Sequence, residues 1–223
     1  MKCRLFDSKG LVVDSRTDLA AHKQAYAHDL EFETDFLAAV RSFRPTAIIG
    51  VSGQPEKFTP EVLRTMAELN ERPVVFALSN PTSKAECTAE SACRHTDFRA
   101  IYASGSPFDP VTLDGKTYVP GQGNNAYIFP GVGLGVIASG ATRVTDEMFF
   151  AAAKALAHEE SEENLATGCI YPPLTRIREV SAVIATAVAE VAWERGLTKK
   201  PRPENILALV CSLMYVPDYT SYV

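Results

Sequence analysis

Four short polar segments each follow directly on a run of apolar residues. Asp7-Ser8 follows Cys3–Phe6, Ser52-Gly53 follows Ala47–Val51, Ser79-Asn80-Pro81-Thr82 follows Val74–Leu78, and Ser104-Gly105-Ser106 follows Ala100–Ala103. If the apolar runs are strands of a doubly wound sheet, these segments sit at the strands' carboxyl ends, where such sheets bind ligands. Small hydroxyl, amide and glycine residues let a flat polar ligand approach the backbone. Taken singly, each segment reads as an ordinary strand-to-helix turn. Four in series bring a ligand-binding wall level with that plainer reading. Asp7 also stands where an acidic residue would meet the ribose of a dinucleotide.

Gly121-Gln122-Gly123-Asn124-Asn125-Ala126 satisfies the pattern G-x-G-x-x-A. A phosphate-binding fingerprint, however, follows a buried strand, opens a helix and has an acidic residue about 20 positions on. Here the preceding Thr117-Tyr118-Val119-Pro120 is short and ends in proline, and Asp146 matches the spacing only loosely, so the segment is not read as a phosphate loop. No Walker A sequence is present either. Asp7 therefore lacks a glycine-rich turn upstream, and the expectation is that the printed chain begins after the first βα unit of its nucleotide fold. His22, His28, His95 and His158 have no metal-ligand spacing with cysteine or one another. Ser104 lacks the G-x-S-x-G setting of a nucleophile, and Glu159–Glu163 reads as a solvated helix end.

The elements that must position these residues follow from periodicity. The apolar runs have the four to six residues and the Val, Ile and Phe content of strands buried on both faces of a parallel sheet. Between them, residues 33–43 form an amphipathic helix stopped by Pro45, residues 60–70 open on Thr59-Pro60, and residues 88–94 open on Thr88. Alternating strands and helices predict an α/β fold, a Rossmann-like, mostly parallel sheet over residues 1–142. Asn124–Ala141, glycine-rich and apolar, reads as a helix packed tightly against backbone at the end of that domain. A helical extension over residues 143–223 follows, with residues 146–160 and 176–195 amphipathic and a tail that carries Tyr215, Tyr219 and Tyr222 as an arm.

With 46% hydrophobic and 22% charged residues, the 223-residue chain has material for a core. A net charge of −5 argues against a general nucleic-acid partner, and no apolar run reaches membrane-spanning length. The opening MKCRLFDSKG passes straight into a strand-like segment without a signal or transit peptide. Five scattered cysteines (3, 87, 93, 169, 211) without a CxxC pair read as reduced intracellular thiols, mostly core filling.

Several stretches together resemble the malic enzymes: FDSKGLVVDSR (6–16), IIGVSG (48–53), FTPEVLRTMAELNERPVVFALSNPTSKAECTAE (58–90), the run from Ala100 through PGQGNNAYIFPGVGLG to Gly135, and IYPPL (170–174). The ending MYVPDYTSYV is similar to the C-terminus of plant-type NADP enzymes. The resemblance implies oxidative decarboxylation of malate to pyruvate and CO2 with reduction of NADP. It assigns Asn80 to the malate and nicotinamide side, and Asn124 and Asn125 to the substrate carboxylate and nicotinamide amide. It places Asp7 and Ser8 at the adenosine ribose, and Ser52 and Gly53 along the ribose and nicotinamide. It marks Lys23, ahead of Tyr26-Ala27-His28, as a reader of the NADP 2′-phosphate.

The resemblance further implies a catalytic tyrosine, a general-base lysine, a substrate arginine and acidic ligands for Mg2+ or Mn2+. Matches to those motifs are absent from these residues, so no catalytic or metal residue is assigned to the chain, and the expectation is that the chain alone is inactive. The complete enzyme is expected to be a homo-oligomer in the cytoplasm or plastid stroma. Malolactic or NAD-linked decarboxylation is the rival within the same scaffold, with lactate rather than pyruvate as the distinguishing product. From other classes, a non-catalytic nucleotide-binding module and an interaction fragment remain as alternatives.

Overall fold

The computed structural model describes residues 2–216. Packing divides the chain into two compact units, Met1–Gln122 and Gly123–Val223.

The first unit opens with a two-residue antiparallel ladder, β1 (Phe6–Asp7) against β2 (Gly10–Leu11), followed by the single helical turn α1 (Ala21–Gln24). α2 (Phe36–Phe43) is capped by Asp35, whose carboxylate accepts from the amides of Leu37 and Ala38. Then come β3 (Ala47–Gly50), α3 (Pro60–Leu69), β4 (Val74–Ala77), α4 (Ala89–His95) and β5 (Ile101–Ser104). A hairpin of β6 (Val111–Leu113) and β7 (Lys116–Tyr118) leads to β8 (Gly121–Gln122). The sheet runs β3-β4-β5-β8 and every pairing in it is parallel.

Local chemistry explains the crossovers. Thr59 accepts from Val62 N with Pro60 in the first turn of α3, and Thr88 accepts from Ser91 N at the start of α4. Each cap satisfies one of the amides that a helix start leaves unpaired. Val62, Leu63 and Met66 of α3 and Ala89, Ala92 and Cys93 of α4 then pack with Ile48, Val75, Ala77 and Tyr102 of the sheet in one core. Burying a side chain such as Leu63 stabilises the fold by about 1.5–3 kcal/mol relative to exposure.

Two expectations need correction. Cys3–Phe6 is not a strand of the parallel sheet: Phe6 and Asp7 turn back through Ser8-Lys9-Gly10 and pair antiparallel with the next residues. Gly10 has φ +126°, and a Cβ there would lie 2.5 Å from Glu33 O, so the turn demands glycine. Nor are all strands covered on both faces. Among the described residues β3 pairs only with β4, and its residues alternate, with Ile48 and Gly50 buried while Ala47 and Ile49 are exposed.

The second unit is helical. It contains α5 (Phe129–Ser139), α6 (Asp146–His158), α7 (Glu162–Ala166), α8 (Ile177–Glu194) and α9 (Ile206–Leu213). Packing thus groups α5 with the C-terminal helices. Gly131 and Gly135 let α5 approach α8 closely, since a Cβ on Gly131 would sit 2.5 Å from Ile184 Cγ2 and one on Gly135 2.6 Å from Ala185 O. Among the described residues, no helix is long and apolar enough to cross a membrane. All five cysteines are free, but only Cys87 and Cys93 are buried, so core filling describes two of the five. Burial raises the Cys87 thiol to about 12 and the Cys93 thiol to about 11. Tyr215 is described and exposed, whereas Tyr219 and Tyr222 lie outside the described residues.

Candidate functional site

The hairpin gathers a charged cluster around Asp7. Its two carboxylate oxygens accept from Arg16 Nη1 and Nη2 at 3.0 and 3.2 Å, and Oδ2 also accepts from Lys23 Nζ at 2.5 Å. Arg16 reaches on to Asp18 through Nε at 3.0 Å, and Lys9 Nζ donates to Asp18 at 2.5 Å. The Arg16 hydrogen bonds, with further help from Lys23, hold the Asp7 carboxyl well below the usual carboxylate range despite burial. Bonds to Asp18 and Asp7 raise the Arg16 guanidinium. A cavity of 240 Å³ beside this cluster is lined by Asp14, Arg16, Thr17, Leu19, Gln24 and Ala27. Ser8 lies in the exposed turn and makes no side-chain hydrogen bond among the described residues.

At the carboxyl ends of the sheet, hydrogen bonds join the strand-end segments in series. Ser52 donates to Glu86 Oε1 through both its hydroxyl (2.7 Å) and its amide (2.9 Å). Ser79 gives its hydroxyl proton to the same oxygen at 2.5 Å and accepts from Gly53 N at 2.8 Å. Asn80 Oδ1 accepts from Ser106 Oγ at 2.5 Å, and Gln122 Nε2 donates to Gly105 O at 3.2 Å. Gly105 fits because a Cβ there would lie 2.2 Å from Leu78 O and 2.7 Å from Asn80 Oδ1. Ser52, Gly53 and Asn80 remain exposed, so the row presents hydroxyl, amide and backbone groups to solvent while its supports are buried.

Of the residues expected from sequence, the structure brings Asp7 and Lys23 into direct contact and ties Ser52 to Gly53 through Glu86 and Ser79. Asn124 and Asn125 lie in the second unit. Asn124 Oδ1 accepts from Ala126 N at 2.8 Å and caps the 3-10 turn Asn125–Tyr127, which leaves its amide NH2 to donate; Asn125 is exposed. Tyr127 fixes this turn by stacking on Tyr171 and donating to Pro172 O at 2.5 Å. Sequence reasoning missed Arg16 and Glu86. Glu86 had a weak signal: an acid flanked directly by Ala85 and Cys87. Arg16 had none short of knowing the hairpin. Gly121-Gln122, the start of the G-x-G-x-x-A segment that was not read as a phosphate loop, supplies the fourth strand of the sheet. Among the described residues, no group of three or more His, Cys, Asp or Glu could hold a metal ion.

A parallel sheet with helical crossovers and a row of small polar residues at its carboxyl ends defines a dinucleotide-binding α/β protein. Residues 2–193 match the family model described as the malic enzyme NAD binding domain, and the chain belongs to the malic enzyme family. It is 55% identical over 223 residues to the NADP-dependent malic enzyme of Vitis vinifera, covering 99% of this chain and 38% of that protein. It is 53% identical to the chloroplastic NADP-dependent malic enzyme of Oryza sativa subsp. japonica, covering 99% and 35%. The crystal structure of Entamoeba histolytica malic enzyme matches with a TM-score of 0.73 at 22% identity, over 94% of this chain and 40% of that one, which supports the fold. The malic enzyme from Pyrococcus horikoshii matches with a TM-score of 0.56 at 32% identity, over 75% and 35%. The chain therefore spans well under half the length of the relatives it matches.

Proposed function

We propose that this chain is the nucleotide-binding part of an NADP-dependent malic enzyme, which converts malate to pyruvate and CO2. The observation that carries this reading is the hydrogen-bonded row of Ser52, Gly53, Ser79, Asn80 and Ser106 along the carboxyl ends of β3, β4 and β5.

NADP fits the residues present. Gly53 has φ +66° and open space where a Cβ would be, so a flat ring can approach the backbone there. At the hairpin, Asp7 already accepts from two cations, which makes it a poor acceptor for the bare ribose hydroxyl of NAD. The cluster pairs three cations, Lys9, Arg16 and Lys23, with two carboxylates, Asp7 and Asp18, and Lys23, with 28% of its side chain exposed, is a cation within reach of a 2′-phosphate. In this reading Lys23 neutralises that phosphate, and Asp7 and Ser8 face the adenosine ribose. Ser52 and Gly53 line the nicotinamide ribose, and Asn80 orients the carboxamide or the malate. Asn124 donates its free amide protons to a carboxylate, and Asn125 offers a donor and an acceptor without charge. When bound, NADP supplies hydride acceptance; these residues act by positioning. The described residues do not fit Mg2+ or Mn2+, since no group of three or more His, Cys, Asp or Glu among them could hold the ion. The whole protein is taken to be a homo-oligomer, and the plastid stroma and cytoplasm are the compartments to test with a fluorescent fusion.

Titration of the chain with NADPH and NADH, followed by nicotinamide fluorescence, tests the reading. NADPH should bind more tightly, and Lys23→Gln should narrow the preference by about tenfold, equivalent to about 1.4 kcal/mol. Equal affinity for both nucleotides, or a preference that Lys23→Gln leaves unaltered, would sink the assignment of Lys23. In the whole protein, malate should yield pyruvate; lactate would favour a malolactic enzyme.

A further inference from the structure

We propose that Glu86 is a positioning residue that sets the nicotinamide half of the dinucleotide site by tying the loop after β3 to the loop after β4. The inference rests on the nucleotide-binding reading above and extends it to a residue that touches no ligand.

Glu86 is 1% exposed and, among the described residues, has no basic partner. A buried carboxylate without a counter-ion is costly unless hydrogen bonds hold its charge. Here four donors from only two residues converge on it: the hydroxyl and amide of Ser52, the hydroxyl of Ser79, and the more distant Ser79 amide at 3.4 Å. Burial pushes the carboxyl up, but the Ser79 and Ser52 bonds outweigh it and hold the group below its ordinary range. Glu86 is therefore an anion, and its Ser52 and Ser79 donors come from the loops at the ends of β3 and β4.

The arrangement is directional. Because Ser79 spends its one hydroxyl proton on Glu86, its oxygen is left to accept from Gly53 N–H. One carboxylate thus fixes the backbone amides of both Ser52 and Gly53. The fit leaves no slack, since a Cβ on Gly50 would lie 2.4 Å from Glu86 Cδ. Its neighbours are anchored as well: Phe58 N donates to Glu86 O at 3.0 Å, and Tyr102 Oη donates to Cys87 O at 3.1 Å. The charged cluster at Asp7, Arg16 and Lys23 shares none of these bonds, so the two halves of the site can be perturbed separately.

The test uses two probes on the chain and its Glu86→Gln variant: NADPH, which needs both halves, and adenosine 2′,5′-bisphosphate, which needs only the adenosine half. Glu86→Gln keeps the shape, removes the charge and turns an NH2 group toward the Ser79 amide. NADPH should weaken by about tenfold, the scale of one lost charge-assisted hydrogen bond. Adenosine 2′,5′-bisphosphate should stay within about twofold, and the emission of bound nicotinamide should change. Hydrogen exchange at Ser52 and Gly53 should quicken before any ligand is added. Should Glu86→Gln lose its circular dichroism, Ser79→Ala answers the same question, because it removes the Gly53 acceptor and one Glu86 donor while leaving the carboxylate. Equal weakening of both probes would reveal a merely structural residue and overturn the inference, as would no weakening of either. Failure of the parent chain to bind either probe would overturn the nucleotide reading itself, and is seen before any variant is made.

Discussion

At the scale of single residues, the row of small polar residues at the strands' carboxyl ends was legible in the sequence, but its supports were not. Ser52, Gly53 and Asn80 could be read because each follows an apolar run. Glu86 and Arg16 act from 34 and 9 residues away from the groups they hold, Ser52 and Asp7, and no local spacing encodes that. The Asp7 cluster carries a pH prediction. Its carboxyl is lowered in the folded chain by Arg16 and Lys23, so the native state binds the proton less readily than the unfolded chain. The stabilisation is complete above the ordinary carboxylate value of about 4 and fades as pH falls below it. Asp7→Asn should therefore cost about 1–2 kcal/mol at pH 7. In urea titrations that difference should be the same at pH 5 and shrink toward pH 3. A gap that persisted undiminished in acid would mean that packing, rather than charge, holds the hairpin. Ser79→Ala offers a complementary check, since its effect should register at Gly53 rather than at the Asp7 cluster.

At the scale of elements, what the sequence made legible was set by length and capping. The crossover helices after β3 and β4 declare themselves through Thr59-Pro60 and Thr88, and their observed starts match those caps. Cys3–Phe6 misled because a short apolar run looks the same in a parallel strand and in a hairpin arm; only the Gly10 geometry separates the two. The β6–β7 hairpin and the two-residue β8 are too short to show a period. The glycine-rich α5 was legible as a tightly packed helix, and its glycines are not equivalent. Gly135 faces Ala185 O and Val188, whereas a Cβ on Gly133 would meet nothing within 4 Å. Gly133→Ala should thus stabilise the chain by about 0.5–1 kcal/mol through helix propensity alone. Gly135→Ala should destabilise it by about 1–3 kcal/mol despite the same propensity gain, because α5 must move off α8. Paired thermal melts of the two variants decide this, and equal shifts in Tm would refute the close approach of the two helices.

At the scale of the whole molecule, each unit has a core of its own. In Met1–Gln122 the core joins the sheet to α2, α3 and α4. In Gly123–Val223 it centres on α8, with Val180, Ile184 and Val188 fully buried against residues that include Val132 of α5 and Met148 of α6. Each such side chain contributes about 1.5–3 kcal/mol of burial against the entropy of ordering it. Separate cores predict that residues 123–223, produced alone, fold and unfold in one cooperative step. The chain's single tryptophan makes this easy to follow: Trp193 is in α8, packs against the small core cluster that includes Ala189, Ile206 and Val210, and donates from Nε1 to Lys200 O at 3.0 Å. Its fluorescence should change in a sigmoidal urea transition with a slope of about 1 kcal/mol per molar, the scale for a chain of this size. Circular dichroism at 222 nm should trace the same curve, as two-state unfolding requires. A gradual, non-sigmoidal drift, or two probes that disagree, would mean that the helices of residues 123–223 need residues 1–122 to hold a fixed packing. In that case the turn carrying Asn124 and Asn125 could not be treated as preorganised for a substrate.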